Sequence, residues 1–110
     1  MRSCLTTGLY LLLTLAAASA ERSAEIDDSI ATAATKYVSA HSGLQHFAVR
    51  VEKIEGQYAR VKVTPNHGQT DPAWLFLKKE KGRWIGLILG TGIEPDDYRR
   101  LHIPEALWIR

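Results

Sequence analysis

The sequence predicts an α+β domain in which an N-terminal helix packs on a four-stranded antiparallel sheet, followed by a short C-terminal helix and tail. Three observations predict it. Apolar residues recur at spacings of three and four across residues 26–41. A two-residue alternation starts at Phe47 and resumes after Glu55-Gly56. A second pair of apolar runs then flanks Glu80-Lys81-Gly82.

In the helical segment, Ile26, Ile30, Ala33, Ala34, Tyr37 and Val38 fall on one stripe. Both ends are marked. Ser23 is placed to cap the first turn, and Glu25, Asp27 and Asp28 put negative charge at the positive end of the helix dipole. Gly43 suits the left-handed residue that follows a last turn, and the small alanines let the helix lie close to a sheet.

Phe47, Val49 and Val51 alternate with His46, Ala48, Arg50 and Glu52, while Ala59, Val61 and Val63 alternate with Tyr58, Arg60 and Lys62. This is a hairpin with one wet face. Residues 65–72, with two prolines enclosing Asn66, Gly68 and Asp71, read as a loop. In the second hairpin, Trp74-Leu75-Phe76-Leu77 and Trp84-Ile85-Gly86-Leu87-Ile88-Leu89 are apolar on both faces. One helix covers one face, so the other requires the C-terminal tail, a ligand or a second subunit.

Gly90-Thr91-Gly92 ends the sheet. Pro95 fits the first position of a short helix, with Asp96 and Asp97 in its first turn and Arg99 and Arg100 near its end. Tyr98 and Leu101 form its apolar side, Ile103-Pro104 breaks it, and Leu107, Trp108 and Ile109 make an apolar tail expected to dock.

One helix followed by four antiparallel strands, over residues 26–89, resembles the cystatin-like fold and the related nuclear-transport-factor-2-like α+β domains. Residues 84–89, Gly90-Thr91-Gly92 and Leu101-His102-Ile103-Pro104 are similar to small exported bacterial proteins that carry such domains and mostly lack an assigned activity. The resemblance implies an architecture. Because such folds host unrelated functions, it leaves the chemistry to the residues.

The N-terminus addresses location. Arg2, the apolar run of residues 9–15 and Ala18-Ser19-Ala20 have the order of an export signal, and the run is shorter than the roughly 20 residues that cross a bilayer. The expected organisation is a signal over residues 1–20 and a single domain over residues 21–110, periplasmic or secreted. Cys4, the one cysteine, precedes the apolar run, whereas the acylated cysteine of a lipoprotein follows it, so no stable membrane anchor is expected. The exported part then has no thiol for a disulfide, a metal or a nucleophile. Loss of Arg2 lowers the formal net charge from +2 to +1, and no basic block is present, which argues against nucleic acid as a partner.

Glu52-Lys53-Ile54-Glu55-Gly56 resembles the Gln-x-Val-x-Gly loop by which cystatins enter the cleft of cysteine proteases. Glu52 stands for Gln, Ile54 for Val, and Gly56 is identical. The same glycine is explained by a hairpin turn that needs positive φ. Arg83 and Trp84 lie at the same end if the cystatin order holds, which makes Glu55, Gly56, Arg83 and Trp84 the candidate partner-binding residues. Gly90-Thr91-Gly92 lacks the lysine and remaining glycines of a phosphate cradle, and Asp96 and Asp97 would repel a phosphate. His41, His46, His67 and His102 form no pair at metal-binding spacing. His67 with Asp71 is the best acid–base pair, since both share the loop, but no serine flanks them and loop polarity alone explains both.

No catalytic residue, metal or cofactor is therefore assigned. Three classes are open: a binding module, a cystatin-like protease inhibitor, and a small enzyme using a pocket between helix and sheet. The first is favoured, because the double-faced hairpin calls for a partner and no nucleophile, base and orienting group assemble. That partner is a protein or envelope component, or a second subunit joined through the sheet. Lys78, Lys79, Lys81 and Arg83 around the second turn favour an anionic surface.

Overall fold

The computed structural model describes residues 24–66 and 71–109. The expected signal, its cleavage site, the Ser23 cap and His67 lie outside the described residues. Helix α1 covers residues 24–42 and is followed by β1 (Phe47–Glu55), β2 (Tyr58–Pro65), β3 (Ala73–Glu80), β4 (Arg83–Gly90), α2 (Pro95–Arg100) and a 3-10 turn (Glu105–Leu107). The strands form one antiparallel meander in the order β1-β2-β3-β4.

The α1 stripe is buried at its centre, where Ile30, Ala34 and Val38 are completely covered and Ala33 and Tyr37 half-buried, but Ile26 at its N-terminal end is 41% exposed because the first turn of the helix extends past the sheet residues that pack on α1. Gly43 ends the helix at φ +75°, a conformation that carries no Cβ penalty there. Both hairpins close with two residues. In the first, Gly56 adopts φ +60° at the leading turn position. In the second, Lys81 and Gly82 are both left-handed, at φ 51° and 77°, as a type I′ turn requires. Glu80 belongs to β3, Pro65 to the end of β2 and Gly90 to the end of β4, so each strand runs slightly further than its apolar core.

Two register shifts were not visible in the alternation. One lies between Val51 and Lys53 in β1 and one between Phe76 and Leu77 in the β3–β4 pairing, where Phe76 faces Ile88 and Leu77 faces Gly86. Each inserts an extra residue on one strand, Glu52 in β1 and Leu87 in β4. A bulge of this kind re-aims side chains.

The sheet is the middle of three layers. On one face, Ile30, Ala34 and Val38 of α1 pack with Ala59, Val61, Val63, Leu75 and Leu77. On the other, Phe76 packs with Tyr98, Ile103 and Leu107. The second apolar face is thus covered by the chain's own C-terminal segment. Tyr98 meets Phe76 edge-on at 5.3 Å and stacks on Trp108 at 4.9 Å, an arrangement aromatic quadrupoles favour. Of the three covers that the double-faced hairpin left open, the C-terminal tail, a ligand or a second subunit, it is α2 and the tail that pack on this face. Among the described residues no helix is long and apolar enough to cross a membrane.

Candidate functional site

An up-and-down meander returns every second turn to the same end, so the two hairpin turns are neighbours. The Lys79 N–H donates to the Gln57 carbonyl at 2.7 Å, tying them together. Glu55, Gly56 and Arg83 are exposed at this end, and Trp84 is half-buried against the α1 layer. The four expected contact residues therefore share one end of the sheet but have two surroundings. Glu55 and Gly56 form the first tip, whereas Arg83 and Trp84 line an open groove between α1 and β4.

The other wall of that groove comes from α1, with Lys36, Tyr37 and His41. Tyr37 lies directly over Gly86, where any Cβ would overlap the phenol ring. His41 stacks on the outer side of that ring at 4.0 Å, and its Nδ1–H donates to the Tyr37 carbonyl at 2.9 Å. Lys36, Lys79, Lys81 and Arg83 make no ion pair among the described residues, because the nearest acid of the second turn, Glu80, is taken by Lys78. Asp28 and His41 both line the groove, but thirteen residues of helix separate them by about 20 Å at 1.5 Å per residue, too far for acid and base to share one reacting atom.

The segment that resembles an inhibitory loop lies within the sheet up to Glu55, and only Gly56 and Gln57 form the turn. The β1 bulge turns Glu52 toward the C-terminal segment. Its Oε1 accepts from Arg60 Nε–H at 3.0 Å and from Trp74 Nε1–H at 2.9 Å. Arg60 in turn donates from Nη1 to the Leu107 carbonyl at 2.9 Å, and Lys53 Nζ donates to the Ala106 carbonyl at 3.1 Å. These four residues clamp the tail to the sheet. Asp71 is exposed, while Gly90-Thr91-Gly92 lines a small cavity together with Trp74, Tyr98 and Ile109. No group of three His, Cys, Asp or Glu among the described residues is placed to hold a metal ion.

Comparison with protein-family models, curated proteins and solved structures gave no match. The site is therefore defined by its geometry. The sequence singled out Arg83 and Trp84 but not Lys36 and Tyr37, which line the opposite wall of the groove. A signal existed: Gly86 interrupts an otherwise large apolar strand, and a glycine inside a strand marks a close approach. Tyr37 is the one large aromatic residue on an alanine-rich helix.

Proposed function

We propose that this protein is an exported binding module, periplasmic or secreted, that holds a protein or envelope component at the end of the sheet carrying Glu55, Gly56, Arg83 and Trp84. One observation carries the reading: the α1–β4 groove offers partly exposed aromatic surface at Tyr37 and Trp84 beside two cations, Lys36 and Arg83, that make no ion pair among the described residues. Aromatic residues and arginine at an open concavity are the usual anchors of recognition.

Two measurements test it. The intact mass of the exported protein is expected to begin at Glu21, and a product retaining residues 9–15 would place the protein on a membrane instead. Immobilised mature protein is expected to retain an envelope component that Glu55→Lys combined with Arg83→Glu loses at unchanged melting temperature. Equal retention by both proteins would remove this surface from the binding function.

A further inference from the structure

The two edges of the sheet are protected very differently. Edge strand β1 carries Arg50, Glu52, Lys53 and Glu55, is broken by a bulge, and is tied to the C-terminal segment through Lys53. These are the usual devices that stop an edge from pairing with another chain. Edge strand β4 has one charge, Arg83, at its start. Its bulge comes after Gly86, so the stretch Arg83-Trp84-Ile85-Gly86 beside the groove stays regular, and Ile85 on it is 44% exposed. We propose that this stretch of β4 accepts an extended acidic segment of a partner protein as an added strand, with the α1 groove receiving its inward side chains. The proposal rests on the binding-module reading and names the partner's chemistry.

Charge selects an acidic occupant. Lys36 and Arg83 border the groove and Lys79 and Lys81 stand at the adjoining turn, all without an ion pair among the described residues. Among the described residues Asp28 is the one carboxylate on the groove wall, and it sits eight residues from Lys36, about 12 Å along the helix. A second copy pairing through its own β4 would bring no Asp or Glu on that strand. An added strand supplies main-chain hydrogen bonds for affinity and alternate side chains for specificity, here apolar groups toward Tyr37 and Trp84 and carboxylates toward the cations. Lys81 fits the same logic. Its φ of 51° is a left-handed position that asparagine or glycine fills with less strain, yet it carries an ammonium group at the tip.

The test uses the mature protein and a fluorescent peptide of alternating Glu and Val, with a Lys–Val peptide and a Glu–Pro peptide as controls. The Glu–Val peptide is expected to bind at least tenfold more tightly than either control, since proline removes the backbone donors and lysine reverses the charge. Lys36→Glu with Arg83→Glu, both exposed, is expected to weaken binding at least tenfold at unchanged melting temperature. Lys81→Asn is expected to raise the melting temperature while weakening binding about three- to fivefold, in line with one exposed charge pair. Equal binding of the Glu–Val and Lys–Val peptides overturns the proposal, as does a concentration-dependent dimer that Ile85→Lys abolishes, which would give the edge to a second copy. Failure of peptide binding while Glu55→Lys with Arg83→Glu still abolishes envelope capture would sink the added strand alone; loss of both effects would sink the binding-module reading as well.

Discussion

The two faces of the sheet are covered by different means. The buried centre of the α1 face is built from small and branched side chains, so Ile30, Ala34 and Val38 meet valines and leucines with no polar contact needed. The opposite face is covered by a segment with six residues of α-helix and three of 3-10 helix, too short to be stable through its own hydrogen bonds. It is held instead by an aromatic cluster, Phe76 edge-on to Tyr98 and Tyr98 stacked on Trp108, and by side chains that reach its carbonyls. A long helix satisfies its backbone internally, whereas an irregular cover needs the sheet to do so.

The largest way to break this comparison is to remove the end of the irregular cover. Deleting residues 106–110 takes away the fully buried Leu107 and the stacked Trp108. The loss of one buried leucine to alanine costs about 2–5 kcal/mol, so this deletion consumes a large share of the about 5–15 kcal/mol that holds a domain together. Light scattering and thermal melting are expected to show a strongly destabilised or newly associating protein. An unchanged monomer with an unchanged melt would mean that the tail contributes no cover.

A smaller effect is expected on the α1 face from Gly86→Ala. Its new methyl group would overlap the Tyr37 ring and force the helix or the ring to shift, an overpacking cost of about 1–3 kcal/mol. Chemical denaturation of the single variant and of the double variant with Tyr37→Ala separates causes. If the ring is responsible, the glycine change costs much less once Tyr37 is gone. Equal cost in both backgrounds would place the need for glycine in the backbone.

Much of this architecture was legible in the sequence, for physical reasons that differ between the faces. The α1 stripe and the two hairpins follow from local periods and from Gly56 and Gly82, which sit within the elements they shape. That the second face needs a cover was also legible, because Trp74, Phe76 and Ile88 have no place in water. How it is held was not. The Arg60 to Leu107 bond joins residues 47 positions apart, and the Glu52 bulge has no local signature. The same limit applies to the groove, where Arg83 and Trp84 stood out beside a turn while Lys36 and Tyr37 acquire their role only when α1 is laid along β4.

Glu52→Leu is the next test of the polar clamp. It keeps apolar volume in the β1 bulge but leaves Arg60 and the Trp74 N–H without their shared acceptor, a loss of about 1–3 kcal/mol for groups of this burial. Glu52→Gln retains an acceptor for one donor and is expected to lose about half as much. If both variants melt with the wild type, the clamp is decorative and the aromatic cluster alone holds the segment.

The smallest expected effect compares two ion pairs of similar length on the same side of the molecule. Asp96 and Arg99 on α2 are 3.1 Å apart and largely exposed, at 96% and 67%, while Glu52 and Arg60 are 3.0 Å apart at 17% and 19%. Distance alone would make them equal. Water screens the first pair and each side chain keeps rotamer freedom that pairing must suppress, so its coupling in a double-mutant cycle is expected to be about 0.2–0.5 kcal/mol. The second is shielded by the tail, and both partners serve a further group, Trp74 on one side and the Leu107 carbonyl on the other, so its coupling should exceed the first severalfold and resist salt. Running both cycles at low and high ionic strength checks this. Equal, salt-sensitive couplings would show that the covering segment does not exclude water, and would reduce the second face from a built layer to a loosely applied one.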